Sequence, residues 1–172
     1  MNSTSPSQLL AAQHREIDRQ MLAFKDGTEG LDGLRNVLTL LRLHLYVEEE
    51  LLFPAVTTQA LAMPLYILQY EHGQMWDFIE RLAAACKNQS TATDAARDDC
   101  RKLLKLFKVH NPKEEDLVYA AADRAATTDP DNTLVSDIKA ARLPNDWLCM
   151  AKRDDFAPPA GAPPWQPGPL PR

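Results

Sequence analysis

The sequence predicts an all-α protein: an up-down-up-down antiparallel four-helix bundle with a C-terminal extension. Three observations lead there. Apolar residues recur at helical spacing, and nowhere is there the sustained alternation that marks a half-buried strand. Four amphipathic stretches of about twenty residues follow one another through short polar connections, the pattern of a bundle. Each stretch carries one of the chain's 4 histidines, and each histidine falls on the apolar stripe of its own helix.

The first helix has a defined start. Ser5 is placed to cap it, Pro6 suits its first position, and Gln8 completes a capping box. Its inward stripe is Leu10, His14, Ile17, Met21 and Phe24, and the run Asp26-Gly27-Thr28-Glu29-Gly30 breaks it. The second helix spans 31–53, with Leu34, Val37, Leu41, His44, Glu48 and Leu51 inward. Pro54 is expected to end or kink it, because proline lacks an amide hydrogen and crowds the preceding turn. Pro64 opens the third helix, whose stripe is Leu65, Leu68, His72, Met75, Ile79, Leu82 and Cys86. After a polar stretch at 87–93, the fourth begins near Asp94 and carries Cys100, Leu103, Phe107, His110, Glu114, Leu117 and Ala121. Pro112 removes one bond of this helix and is expected to kink it. The alternative is a restart at Pro112 with Asn111 as cap; the stripe continues in phase across the proline, which favours the kink.

The bundle is expected over residues 5–127, a short helical extension over 128–155, and a proline-rich tail over 156–172, which holds 7 of the 13 prolines. Composition narrows the class further. A net charge of −5 without a Lys/Arg-rich run argues against a nucleic-acid surface, and no stretch is long and apolar enough for a membrane span. The first residues lack the basic and apolar regions of a secretory signal. The 3 cysteines, Cys86, Cys100 and Cys149, form no CxxC pair and fit reduced, buried thiols of a cytoplasmic protein.

The chemistry lies in the histidines and in two glutamates. His44 and Glu48, and His110 and Glu114, are each four residues apart, so each pair shares one helix face a turn apart. A single histidine on an apolar face is more often a hydrogen-bonded core residue, and a single glutamate is more often solvated. The joint pattern is different, because six such side chains in core positions are costly to bury without a compensating charge. A metal supplies it. Six ligands exceed what one zinc takes, and calcium and magnesium prefer oxygen. Four imidazoles and two carboxylates suit two iron or manganese ions, each with two histidines and with the carboxylates bridging. The residues alone leave iron and manganese open, with zinc as a possible substitute. Coordination positions then remain for water or a small exogenous ligand.

The motif HLYVEEELLFP at 44–54, the pair EH at 71–72 and HNPKEED at 110–116, with His14 upstream, resemble the hemerythrin/HHE cation-binding family. The resemblance runs over roughly 10–123. It implies a carboxylate-bridged non-haem di-iron centre, with His14, His44, His72 and His110 as terminal ligands and Glu48 and Glu114 as bridges. Two departures stand out. Oxygen-carrying hemerythrins have a fifth histidine one turn further along helix three, where this chain has Trp76. They also place an aspartate five residues after the helix-four histidine, where this chain has Glu115; helical phase favours Glu114 as the bridge. At Trp76 the missing ligand leaves an open site, water, a nearby carboxylate or the indole itself.

Glu49, Glu50 and Glu71 are expected to be solvated or to orient imidazole N–H groups. Tyr46, Tyr70 and Tyr119 are off the stripes and are assigned to packing or surface roles, and Trp76 to a core aromatic beside the metals. The functional expectation is a protein that binds or senses a small diatomic ligand, O2 or NO. The alternatives are a redox enzyme acting on peroxide, NO or ferrous iron, and an iron-handling protein.

Overall fold

The computed structural model describes residues 4–88, 91–128 and 133–162. Every regular element among them is helical. Helix α1 is Pro6–Asp26, α2 Leu31–Val47, α3 Phe53–Val56, α4 Ala62–Asn88, α5 Asp94–Lys113, α6 Ala120–Thr128 and α7 Leu134–Ala140. The four long helices contact in a ring, α1 with α2, α2 with α4, α4 with α5, and α5 with α1. The helix ends form as their residues dictate. The Gln8 amide donates to Ser5 Oγ at 3.3 Å and the Ser5 amide to Gln8 Oε1 at 3.0 Å, closing the capping box. Gly27 ends α1 at φ +83°, a left-handed conformation that glycine adopts without a Cβ clash. Thr93 caps α5 through the Ala96 amide.

Two segments depart from the regular α winding. Glu48–Leu52 and Glu114–Tyr119 are π-helical, and in the first the Phe53 amide reaches back five residues to the Glu48 carbonyl. A π turn inserts one residue into the α repeat, and such insertions are frequent at functional sites. Here each begins on a glutamate of an HxxxE pair. Neither proline ends its rod. Pro54 does not end the second helical rod, which runs on through Val56, and α5 passes through Pro112 without a restart.

The inserted residue moves the buried stripe along by one position. In place of the expected Leu51, the chain buries Leu52, Phe53 and Val56; in place of Leu117 and Ala121, it buries Val118, Tyr119 and Ala122. Leu117 is 44% exposed. Upstream of the π turns the α period holds, and the expected stripes of α1, α2, α4 and α5 are buried.

The apolar interior forms two clusters. One holds Ile17, Met21, Leu41, Met75, Ile79, Leu103 and Phe107 among others; the second holds Leu10, Val47, Leu52, Phe53, Leu65, Leu68 and Val118. On each long rod the histidine lies between a residue of one cluster and a residue of the other. A polar layer therefore crosses the bundle between two dry cores. Beyond the ring, α7 buries Leu134 and Ile138 and packs against α1 and the first π segment. The proline-rich tail expected from residue 156 lies, beyond residue 162, outside the described residues. No helix among the described residues is long and apolar enough to cross a membrane.

The π shift predicts an inversion of ordinary helical phase. Val118→Ala should cost about 2 kcal/mol in chemical unfolding, as loss of a buried aliphatic group does, whereas Leu117→Ala should stay within about 0.5 kcal/mol. The reverse order would show that the α period continues past Glu114.

Candidate metal centre

His14, His44, His72 and His110 come from α1, α2, α4 and α5, and all four are buried with Glu48 and Glu114 between them. Each imidazole donates from Nδ1 to an acceptor on a neighbouring helical rod. His14 Nδ1 donates to Glu115 Oε1 at 2.9 Å, His44 Nδ1 to Gln13 Oε1 at 2.8 Å, His72 Nδ1 to Glu49 Oε1 at 2.8 Å, and His110 Nδ1 to Glu71 Oε2 at 2.8 Å. These bonds fix the tautomer, so the four Nε2 atoms carry their lone pairs toward one another. Bonds of this kind orient imidazoles for metal ligation.

The two carboxylates lie across the histidine pairs. Glu48 Oε1 is 3.2 Å from His44 Nε2 and 3.9 Å from His14 Nε2, while its Oε2 is 3.6 Å from His72 Nε2. Glu114 Oε2 is 3.3 Å from His14 Nε2, while its Oε1 is 3.3 Å from His72 Nε2 and 3.0 Å from His110 Nε2. Each carboxylate therefore turns one oxygen to the His14–His44 pair and the other to the His72–His110 pair. Two groups of donor atoms are close enough to hold a cation: His14, His44, Glu48 and Glu114, and His72, His110 and Glu114.

The donor set fits a cation on the evidence of its unmet polar atoms. Among the described residues, five buried side-chain N or O atoms lack a hydrogen-bond partner; four of them are His44 Nε2, Glu48 Oε2 and both oxygens of Glu114. Two buried carboxylates facing four neutral imidazoles carry uncompensated negative charge, a costly state in a dry interior. Protons replace the cation when none is present. Burial pulls His14 down, but Glu114 and Glu48 outweigh it and push it up to about 9. Burial opposes His72 likewise, and Glu114 and Glu49 push it up to about 10. Complete burial pushes Glu114 up, but His110 above all, with His14 and His72, holds it well below the usual carboxylate range.

Glu114, not Glu115, occupies the position between the two histidine pairs. Glu115 has its own task as the acceptor for His14. Glu49 and Glu71 orient His72 and His110, while Glu50 turns to the C-terminal segment, accepting from Trp147 Nε1 at 2.8 Å. Gln13 was not singled out by the sequence, although it precedes His14 as Glu71 precedes His72. Trp76 is buried, but it faces Arg42, whose guanidinium lies 5.1 Å from the ring, and Trp147, 5.5 Å away.

Tyr119 is the main correction. Assigned from its α phase to packing or surface, it is 1% exposed, because the π turn swings it inward. Its hydroxyl donates to Glu48 Oε1 at 2.5 Å and lies 3.0 Å from His14 Nε2. Its ring stacks on His14 at 5.4 Å, as Phe53 stacks on His72 at 5.8 Å. A small cavity of about 10 Å³ lies at the layer, walled by His14, His44, Glu48, His110, Asn111 and Glu114 on its polar side and by Ile17, Leu41, Leu45, Met75 and Phe107 on its apolar side. It has space for one water-sized guest. Met75, and not Trp76, faces it.

A model of the hemerythrin HHE cation-binding domain matches the chain over residues 5–122. The chain belongs to that family, and it is a metal-binding, hemerythrin-like protein whose buried cluster of histidines and glutamates is the candidate metal site. No curated protein and no solved structure matched it.

The raised imidazoles carry a signed pH dependence. Their contribution to the cation-free fold is full below pH 6.5 and fades as pH rises through about 9 for His14 and about 10 for His72. Ligation requires neutral imidazole, so cation affinity should instead increase over the same range. Thermal unfolding with and without chelator should show the cation-free midpoint falling, and its gap to the loaded midpoint widening, from pH 6.5 to 9.

Proposed function

We propose that the chain is a non-haem di-iron protein that binds or senses a small diatomic ligand, O2 or NO, in the cytoplasm. The observation that carries this reading is the way Glu48 and Glu114 each offer one oxygen to either histidine pair. Two imidazoles and two carboxylate oxygens per ion leave a six-coordinate metal with unfilled positions. Two ions also account for donors that a single tetrahedral zinc would leave unused. When bound, the metals would supply the redox and ligand-binding chemistry.

The chain's own residues do the rest. The Nδ1 bonds hold the imidazoles in one tautomer and rotamer, and the two apolar clusters exclude bulk water. The cavity at the layer is small, which favours a diatomic guest over an organic substrate. The placement of the two clusters supports the up-down-up-down topology: residues of the second cluster precede the histidine on α1 and α4, and follow it on α2 and α5 and the rods they begin.

A second reading, a redox enzyme that turns over peroxide or NO, is favoured by one observation. The Tyr119 hydroxyl is a buried proton source within hydrogen-bond distance of His14 and Glu48. A group there can donate to a bound ligand as well as fix Glu48.

Metal content per chain, in protein purified without added metal and after anaerobic ferrous loading, should be two. Glu48→Ala and Glu114→Ala should each weaken both ions, whereas His44→Ala should abolish one. If all three variants kept two ions, the ligand assignment would be wrong. Exposure of the ferrous protein to O2 or NO should give a visible absorption band that reverses when the gas is removed. A band that decays with turnover, and slows in Tyr119→Phe at unchanged metal content, would select the enzymatic reading.

A further inference from the structure

The two halves of the metal layer are built alike. The residue before the α1 histidine orients the α2 histidine, and the residue before the α4 histidine orients the α5 histidine: Gln13 to His44, Glu71 to His110. The residue after each bridging glutamate orients the remaining pair: Glu49 to His72, Glu115 to His14. The two acceptors that follow the glutamates differ in burial. The Glu115 side chain is 45% exposed, whereas that of Glu49 is fully buried.

What covers Glu49 is a stretch of chain outside the matched domain. The Met150 amide donates to Glu49 Oε2 at 2.6 Å, leaving Oε1 for His72. The stretch is fastened on both sides of that bond. Trp147 donates to Glu50 and packs edge-on against Trp76 and Tyr46, Arg153 pairs with Glu50, and Lys152 reaches Asp77 at 2.6 Å. Ala151 lies so close to α4 that a Cβ built on Gly73 would stand 2.7 Å from its own Cβ. Cys149 is buried at 0% exposure beneath it.

We propose that residues 144–153 form a strap that positions His72 through Glu49, and so tightens the hold on the ion of the His72–His110 pair. Glu49 is a positioning residue: with one oxygen fixed by a backbone amide, its other oxygen can hold the imidazole at only one angle. The proposal rests on the two-ion reading above. It assigns the C-terminal segment a role in metal retention at one half of the site, with Glu115 and His14 as the untethered counterpart.

The test is release of ferrous iron from the full-length, anaerobically loaded chain into excess chelator. Met150→Pro deletes the donor with little backbone cost, since Cys149 already has φ −62° and ψ 151°, the extended form that precedes proline. Met150→Ala keeps the amide and is the control. In Met150→Pro one ion per chain should leave about tenfold faster, the low end of what losing a supporting partner of a ligand costs, with the other ion at the wild-type rate. Met150→Ala should release both at wild-type rates.

Glu49→Gln retains only one acceptor oxygen. It should loosen the same ion, and Met150→Pro should add nothing to it. Glu115→Gln keeps an acceptor for His14, as Gln13 provides for His44, and should leave both rates near wild type, whereas Glu115→Ala should loosen the other ion and add independently to Met150→Pro. If Met150→Pro does not fold, the contrast between Glu49→Gln and Glu115→Gln decides. Release curves alike for Met150→Pro and Met150→Ala, both ions accelerating equally, or Glu49→Gln leaving both rates unchanged would overturn the strap. A wild-type chain holding fewer than two ions would overturn the two-ion reading itself, before any variant is made.

Discussion

The interior of this bundle is arranged around the burial of two carboxylates. Glu48 and Glu114 are at 0% exposure, with oxygens that no protein donor satisfies. Water cannot compensate them there, and a carboxylate left alone in such a place would be protonated or would unfold its surroundings. The chain surrounds them with four imidazoles and then ties up the Nδ1 of every one. That second step decides the chemistry. An imidazole free to rotate could turn its N–H to the nearest carboxylate; one held by Nδ1 presents Nε2 to the layer, where either a proton or a metal cation compensates the carboxylates.

The two apolar clusters make this arrangement rigid. They lie on either side of the polar layer, so His14, His44 and His72 are each anchored by core residues a turn before and after, and His110 by Phe107 before it and Val118 beyond. The π turns serve the same end. At Glu48 and Glu114 the inserted residue lets the rod place a glutamate in the layer and its follower, Glu49 or Glu115, against the histidine of another rod. It then brings Phe53 or Tyr119 under a histidine ring. A continuous α-helix offers one face at that point; the insertion widens the arc that faces inward.

That insertion marks where the sequence stops being readable. Up to each glutamate, the helices, their caps and all six site residues follow from the period of 3.6 and from the cost of polar groups in core positions. Past each glutamate the same period points to Leu117, which is exposed, and away from Tyr119, which is buried in the site. No feature of EEELL or EEDLVY distinguishes a π turn from an α turn when the apolar residues are read by spacing. Proline ends neither rod: it forbids one hydrogen bond, but a rod already held by packing on both sides continues across the gap. Gln13 escaped notice because an amide beside a histidine signals nothing until a second rod brings another imidazole to it. The acceptor role of Glu71 was readable only as one option among several.

The departures from symmetry between the two halves are where function is set. The chemistry of ligation is the same in both, two imidazoles and a share of two carboxylates. Around His72 and His110 the supporting acceptors are both carboxylates, Glu49 and Glu71, and Phe53 offers no polar atom. Around His14 and His44 one acceptor is the neutral Gln13, and Tyr119 adds a hydroxyl. The cavity is walled by His14, His44 and His110, while His72 stays behind the C-terminal segment. The half with anionic support on both imidazoles favours retention of a highly charged ion, because negative partners stabilise positive charge most where water is excluded. A half with a neutral amide, a hydroxyl and an adjoining cavity favours exchange of the remaining ligand. On the proposed two-ion reading, such an asymmetric shell would hold one ion and leave the other accessible.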